Sequence, residues 1–208
     1  MKPMEIEKRS MELIDEQLAG REIDPKNMNV LKRVIHTTAD FDYVDNLAFS
    51  KDAVVIAKKL LRDGAKIVTD TSMAKSGINK KAVAQLGCDI HCFIDLAQVA
   101  EAASTDGTTR ARAAVDYAAK TLEKPLIFAV GNAPTALLRL HELINEGLFF
   151  PDFIIAVPVG FVNVVESKAL ILNGKVPYIV AKGKKGGSNV AAAICNALLY
   201  EIVEREAM

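Results

Sequence analysis

The chain has 208 residues, enough for one domain with its own core and few for two. It is 50% hydrophobic and 25% charged, and its 26 basic side chains balance 26 acidic ones, which excludes a disordered chain and argues against a nucleic-acid partner. No apolar run reaches the roughly 18 residues that span a bilayer, and the acidic, amphipathic start "MKPMEIEKRSMELIDEQLAG" is unlike a signal peptide, so a cytoplasmic protein without a membrane partner is expected. Three cysteines suit reduced thiols better than a disulfide framework.

Two helices are expected before any strand. Met11, Ile14 and Leu18 repeat at helical spacing ahead of Gly20, and Val30, Leu31, Val34 and Ile35 do so in the next segment. Ser50 is placed as the N-cap of a third helix, "KDAVVIAKKLLRD", which runs to Gly64. From there short apolar runs alternate with helical patterns. The runs are "AKIVT", "CDIHCFI", "LIFAV", "FIIAV" and "PYIVA", and helices are expected around 96 to 103, 109 to 122, 133 to 146, 163 to 172 and 188 to 205. Five strands joined by helices predict a three-layer α/β/α, Rossmann-like parallel sheet behind an N-terminal helical segment, as a single domain over 1–208. No linker, internal repeat or low-complexity tract divides the chain. The most polar stretch, "ASTDGTTRAR", is too short to do so.

In such sheets ligands bind beyond the carboxyl ends of the strands, where loops lead into helix N-termini. Four of those loops carry glycines or small polar residues: "DTSMAKSG" with Asp70, Thr71 and Ser72; "GNAPTA" with Gly131 and Asn132; "PVGFVN"; and "KGKKGGS". Capping alone explains "GNAP", and Pro134 fits a first helical turn. Lysines clustered with paired glycines before Ser188 exceed what a cap needs. A bound anion and a solvated basic loop both remain open for that stretch. The order of "GKKGGS" does not match a Walker loop, and no G-x-G-x-x-G follows the first strand.

Three histidines occur. His36 ends an apolar helical run just before Thr37, Thr38 and Asp40, while His91 and His141 read as structural or surface groups. The segment "CDIHC" invites a metal reading. On a strand, however, Cys88 and Cys92 stand about 13 Å apart, too far to share one ion, so no metal site is expected. Arg110 and Arg112 open the helix after the turn at 106 to 109, where an anion would offset their unfavourable place at the positive end of the dipole.

Taken in order, "RSMELI", "VIHTTADFDY", "TDTSMAKSGI", "GTTRARAA", "GNAPTALL", "PVGFVNVVESK" and "GKKGGSNVAAAI" resemble the precorrin-8 methylmutases of cobalamin biosynthesis, including the cobalt-precorrin-8 form, over nearly the whole chain. The resemblance implies an isomerase that moves a methyl group from C11 to C12 of a tetrapyrrole, giving hydrogenobyrinate or its cobalt counterpart, cobyrinate. It implies His36 as the acid that protonates a ring nitrogen and eases a 1,5-sigmatropic shift, with no external methyl donor or cofactor. An imidazole ordinarily titrates near 6.5, which suits that task.

By match to the family motifs, Arg110 and Ser10 are expected to bind substrate. Thr71, Asn132, Lys182, Lys184, Lys185 and Ser188 are added from the loop reading as contacts to the acetate and propionate arms of the ring. Lys182 stands where relatives carry arginine, keeping the charge and losing the fork; Arg112 replaces a small residue and receives no role. A homodimer with its site near the subunit boundary is also implied. Two other readings stay open: a tetrapyrrole carrier without chemistry, and a nucleotide- or S-adenosylmethionine-dependent transferase. Whether the ring already holds cobalt is not set by the sequence.

Overall fold

The computed structural model describes residues 3–203, with side chains from residue 5. Helix α1 (Pro3–Leu18) and helix α2 (Met28–Thr38) come first, then the single turn α3 (Tyr43–Asn46), strand β1 (Leu47–Phe49) and helix α4 (Ala53–Arg62). Next are β2 (Lys66–Thr69), α5 (Ser72–Gly77), α6 (Lys80–Gln85), β3 (Asp89–His91), α7 (Ala97–Thr105) and α8 (Arg110–Thr121). The chain continues through β4 (Leu126–Val130), α9 (Pro134–Asn145), β5 (Phe153–Ala156), α10 (Val164–Leu172), β6 (Tyr178–Ala181) and α11 (Ser188–Tyr200).

The strands form one sheet in the order β1-β6-β5-β4-β2-β3. Strands β3, β2, β4, β5 and β6 are mutually parallel, whereas β1 lies antiparallel on β6 with Leu47 opposite Ala181. The expected α/β architecture is therefore present, with a correction: the sheet has six strands, not five, and its sixth is an antiparallel edge. The three residues "LAF" carry no turn signal and no period long enough to read, so this strand exists only because β6 offers it a partner.

Alternate residues of the central strands face opposite layers. Ile127, Ala129, Phe153, Ile155 and Ile179 join a core with Val34 and Ile35 of α2, Ala57 and Leu61 of α4, and Val190, Ile194 and Leu198 of α11. Leu126, Phe128, Ile154 and Val180 join Val115, Leu137, Leu140 and Ile171 of α8, α9 and α10. Every residue of β4 and β5 is buried, which is why those runs are apolar throughout rather than alternating.

Local expectations fared unevenly. Pro134 opens α9, and α2 buries Val30, Leu31, Val34 and Ile35. Ser50 does not cap α4: Asp52 holds the cap position with φ of 54°, and the Ser50 hydroxyl instead accepts the Tyr178 N–H at 2.9 Å, stitching the end of β1 to β6. The stretch "DTSMAKSG" contains a helix, capped by Thr71, rather than an open loop. The last helix ends at Tyr200, not 205, and part of the expected extension lies outside the described residues.

Cys88 and Cys92 flank β3 without sharing a task, since the Cys88 thiol donates to the Leu61 carbonyl at 3.1 Å while Cys92 lies 3.8 Å from the Ser72 hydroxyl. His91 stacks on Phe93, and the His141 ring meets the Asn145 amide at 2.7 Å. Among the described residues no helix is long and apolar enough to cross a membrane.

Ile155 is fully buried and Ile6 is 52% exposed. Ile155→Ala is expected to cost about 2–5 kcal/mol in urea unfolding. Ile6→Ala should stay within about 0.5 kcal/mol. Equal shifts for the two would contradict the core described above.

Candidate active site

The parallel strand order reverses between β2 and β4, since the chain moves outward to β3 on one side and to β5 and β6 on the other. Loops diverge at such a point and leave a crevice at the carboxyl ends of the strands. Here one carboxylate bridges it. Asp70, directly after β2, accepts the backbone N–H groups of Gly131, Asn132 and Ala133 at 2.8, 2.8 and 2.7 Å, all from the turn after β4. Burial pushes the Asp70 carboxyl above its usual range, and the three N–H donors work against that shift.

The turn so held lies against the start of α11. A Cβ on Gly131 would come within 2.7 Å of the Ser188 Cα, so no side chain fits there. Thr71 and Ser188, assigned together from sequence, meet through their hydroxyls at 2.8 Å, and Thr71 also caps α5 by accepting the Ala74 N–H. Asn132 keeps an exposed side chain and lines a cavity of about 250 Å³ with Asp70, Thr71, Ser72, Ile94, Asp95, Ala111 and Ala133. That volume is too small to enclose a tetrapyrrole. A ring of that size must lie across an open surface.

Two further loops complete the edge. The turn after β5 and the glycine loop after β6 are joined by the Gly187 N–H to the Val157 carbonyl at 2.8 Å and by the Gly160 N–H to the Lys184 carbonyl at 3.2 Å. A Cβ on Gly186 would collide with the carbonyl oxygens of Val157 and Pro158, which is why that position is glycine. Phe161 and Val162 project from the first of these loops at 83% and 77% exposure, and the Lys184 ammonium sits 5.2 Å from the centre of the Phe161 ring. An apolar surface thus stands beside a cationic one.

The three lysines of the loop are not equivalent. Lys185 donates to the carboxylates of Asp40 and Asp42, each at 2.6 Å, so its charge is already matched by the segment that follows His36. It enters the site as a tie rather than as a free cation. The hydrogen bond from Lys185 holds the Asp40 carboxyl below its usual range, and the two carboxylates raise the Lys185 ammonium. Asp40 is therefore a partner of Lys185. Lys182 and Lys184 are both exposed.

His36 lies in the last turn of α2, exposed to solvent, four residues before Asp40. The helix stops at Ala39, whose left-handed φ of 52° turns the chain toward the glycine loop. Arg110 is the exposed first residue of α8, next to the cavity-lining Ala111. Ser10 sits on α1 and donates to the Ile6 carbonyl of its own helix at 2.9 Å. Its hydroxyl makes a bond within α1, and among the described residues it forms no hydrogen bond to the loops at the sheet edge. Arg112, left without a role by sequence, forms an ion pair with Glu142, which Arg139 also contacts at 2.9 Å. It braces α8 against α9.

Two features escaped the sequence reading. Lys168 on α10 is 1% exposed, and its ammonium donates to the Gly183 and Lys185 carbonyls at 2.8 Å each. Nothing in "VVESKALIL" marks it, because a lysine on a helix is ordinarily a surface residue. The projection of Phe161 was equally hidden, since an apolar residue in "PVGFVN" reads as core. Burial alone pushes the Lys168 pKa down to about 8.

Replacing the bridging carboxylate is expected to be costly: Asp70→Asn offers a single acceptor oxygen to three donors and should lose about 1–3 kcal/mol or more in denaturant unfolding. The tie between Lys185 and Asp40 carries a pH signature. A carboxyl lowered on folding contributes stability above its ordinary value of 3.8 and loses it as pH falls through the lower folded value. The melting-temperature difference between wild type and Lys185→Met should accordingly be constant from about pH 5 to 9 and shrink on acidification below that window.

Comparison with known proteins identifies the family of the chain. The family model for precorrin-8X methylmutase matches residues 5–201. The cobalt-precorrin-8 methylmutase of Salmonella typhimurium is 46% identical, covering 97% of this chain and 97% of its own. That of Priestia megaterium is 39% identical, covering 95% and 88%. The crystal structure of precorrin-8X methylmutase from Thermus thermophilus superposes with a TM-score of 0.86 at 36% identity, covering 93% of this chain and 95% of that one. The chain belongs to the precorrin-8X methylmutase family and is, with that membership, an isomerase of corrin biosynthesis.

Proposed function

We propose that the protein moves the C11 methyl group of precorrin-8, or of its cobalt form, to C12, with His36 as the acid. The imidazolium lends its proton to a ring nitrogen, which drains electron density from the conjugated system. The bond from the methyl carbon to C11 breaks as the bond to C12 forms, and the proton is then given back. No atom is gained or lost, so no methyl donor or cofactor enters, and the product is hydrogenobyrinate or cobyrinate. An acid so placed contributes about 10² to 10⁴ in rate, and holding the ring in the geometry of migration supplies the remainder.

The observation that carries this reading is the link between His36 and the cationic loop. An exposed histidine ends α2, and the residues that follow it are clasped by Lys185 to the loop that bears Lys182 and Lys184. A flat apolar ring fringed by carboxylates requires that pairing of features: a surface such as Phe161 and Val162 to lie on, cations at its rim, and one proton donor alongside. Thr71, Ser188 and Asn132, grouped around the Asp70 bridge, supply hydroxyl and amide groups for a further arm, with Arg110 at the cavity edge. Ser10 joins the set through its family motif.

The two curated relatives are named for cobalt-precorrin-8 and the Thermus structure for precorrin-8X. Their share of identity favours the cobalt-bearing ring as substrate. We further infer a homodimer, in which the exposed loop of Phe161 and Val162 lies near the subunit boundary and completes a surface too open in one chain.

Mixing the protein with cobalt-precorrin-8 should produce a new long-wavelength absorption band as conjugation extends. His36→Ala is expected to lower turnover by at least about 10², while titration of the ring by absorbance still shows uptake. Turnover by His36→Ala within twofold of wild type would place the acid elsewhere; uptake without turnover by wild type would favour the carrier reading.

A further inference from the structure

The loop after β6 is tied outward by Lys185 to Asp40 and Asp42 and by backbone bonds to the turn after β5, and between those ties its backbone is rich in glycine. Gly183, Gly186 and Gly187 all take positive φ, and the side chains of Lys182 and Lys184 are exposed. Beneath it lies the buried Lys168, whose two bonds go to the carbonyls on either side of Lys184. A carboxylate is not among its hydrogen-bond partners. Burying an ammonium on such terms is unfavourable, and a methionine of similar length would fill the same volume without that penalty. The charge and its donors therefore do something that packing alone would not.

We propose that Lys168 is a positioning residue for the methyl transfer: its ammonium draws the Gly183 and Lys185 carbonyls inward and so turns Lys182 and Lys184 outward toward the substrate carboxylates. The geometry between those two bonds supports this. With its neighbours' carbonyls held down, Lys184 turns its own carbonyl to the Gly160 N–H and its ammonium to the Phe161 ring. A positive charge fixed below the loop also raises the potential that an approaching polyanion meets. Lys168 acts through the loop and does not touch the substrate, and it sits on a different element from His36. Its loss should accordingly weaken binding more than chemistry. This inference rests on the function proposed above.

The test compares wild type, Lys168→Met and Lys168→Arg by steady-state kinetics on cobalt-precorrin-8 and by amide hydrogen exchange of the intact protein. In Lys168→Met, KM should rise about tenfold or more with kcat within about threefold, and exchange should quicken over residues 181–187 while β4 and β5 stay protected. Lys168→Arg, which keeps charge and donors, should recover at least part of both. A Lys168→Met protein with wild-type KM and a slowly exchanging loop sinks the inference. So does a variant whose kcat and KM deteriorate together in step with a lowered melting temperature. If Lys168→Met does not fold, Lys168→Leu, which likewise removes both the charge and the donors, is read by the same criteria. Wild type that fails to turn the ring over counts against the functional reading, whereas loop exchange reports on Lys168 whichever way that falls.

Discussion

One carboxylate organises the carboxyl edge of this sheet. Asp70 leaves β2 where the strand order reverses and collects three consecutive N–H groups from the turn after β4. Without it those donors would face a buried space unpaired, at a cost comparable to that of the lost hydrogen bonds themselves. With it the turn is pinned so closely that Gly131 touches the first residues of α11, and Thr71 meets Ser188 across the same gap. Residues 61 and 117 positions apart in the chain are brought to one place by these contacts.

The cationic side of the edge is organised by a second device, a division of labour among lysines. Lys185 is matched by Asp40 and Asp42, Lys168 is buried against backbone carbonyls, and Lys182 and Lys184 remain at the surface. Two lysines therefore bond to the loop or tie it to its neighbours, and Lys182 and Lys184 have no carboxylate partner among the described residues. The same tie carries the end of α2, and His36 with it, to the loop. The end of α2 and the glycine loop are thus joined by a salt bridge in addition to the packing of α2 on α11.

Much of the fold was legible. Strands β2, β4, β5 and β6 announced themselves as apolar runs because both of their faces are covered, and α2 showed its buried stripe at helical spacing. Strand β1 was not legible, since three residues at an edge draw their structure from the partner strand. Ser50 misled for a related reason: a serine before a helix reads as a cap, but here a strand N–H competes for its hydroxyl and wins. Of the site, the clustered lysines and glycines and the exposed histidine were readable as chemistry in a suggestive place. Which lysine is spoken for was not.

The sequence by itself determined the alternation of strands and helices, the loops that carry polar groups, and the family motifs in which His36, Arg110 and Ser10 stand. These follow from local pattern and residue type. Only the tertiary structure decided that Lys185 is neutralised, that Lys168 is buried beneath the glycine loop, that Asp70 bridges two strands and that Phe161 faces solvent. Each of these depends on a partner distant along the chain or on the want of one, and neighbouring residues carry no record of which distant groups will meet.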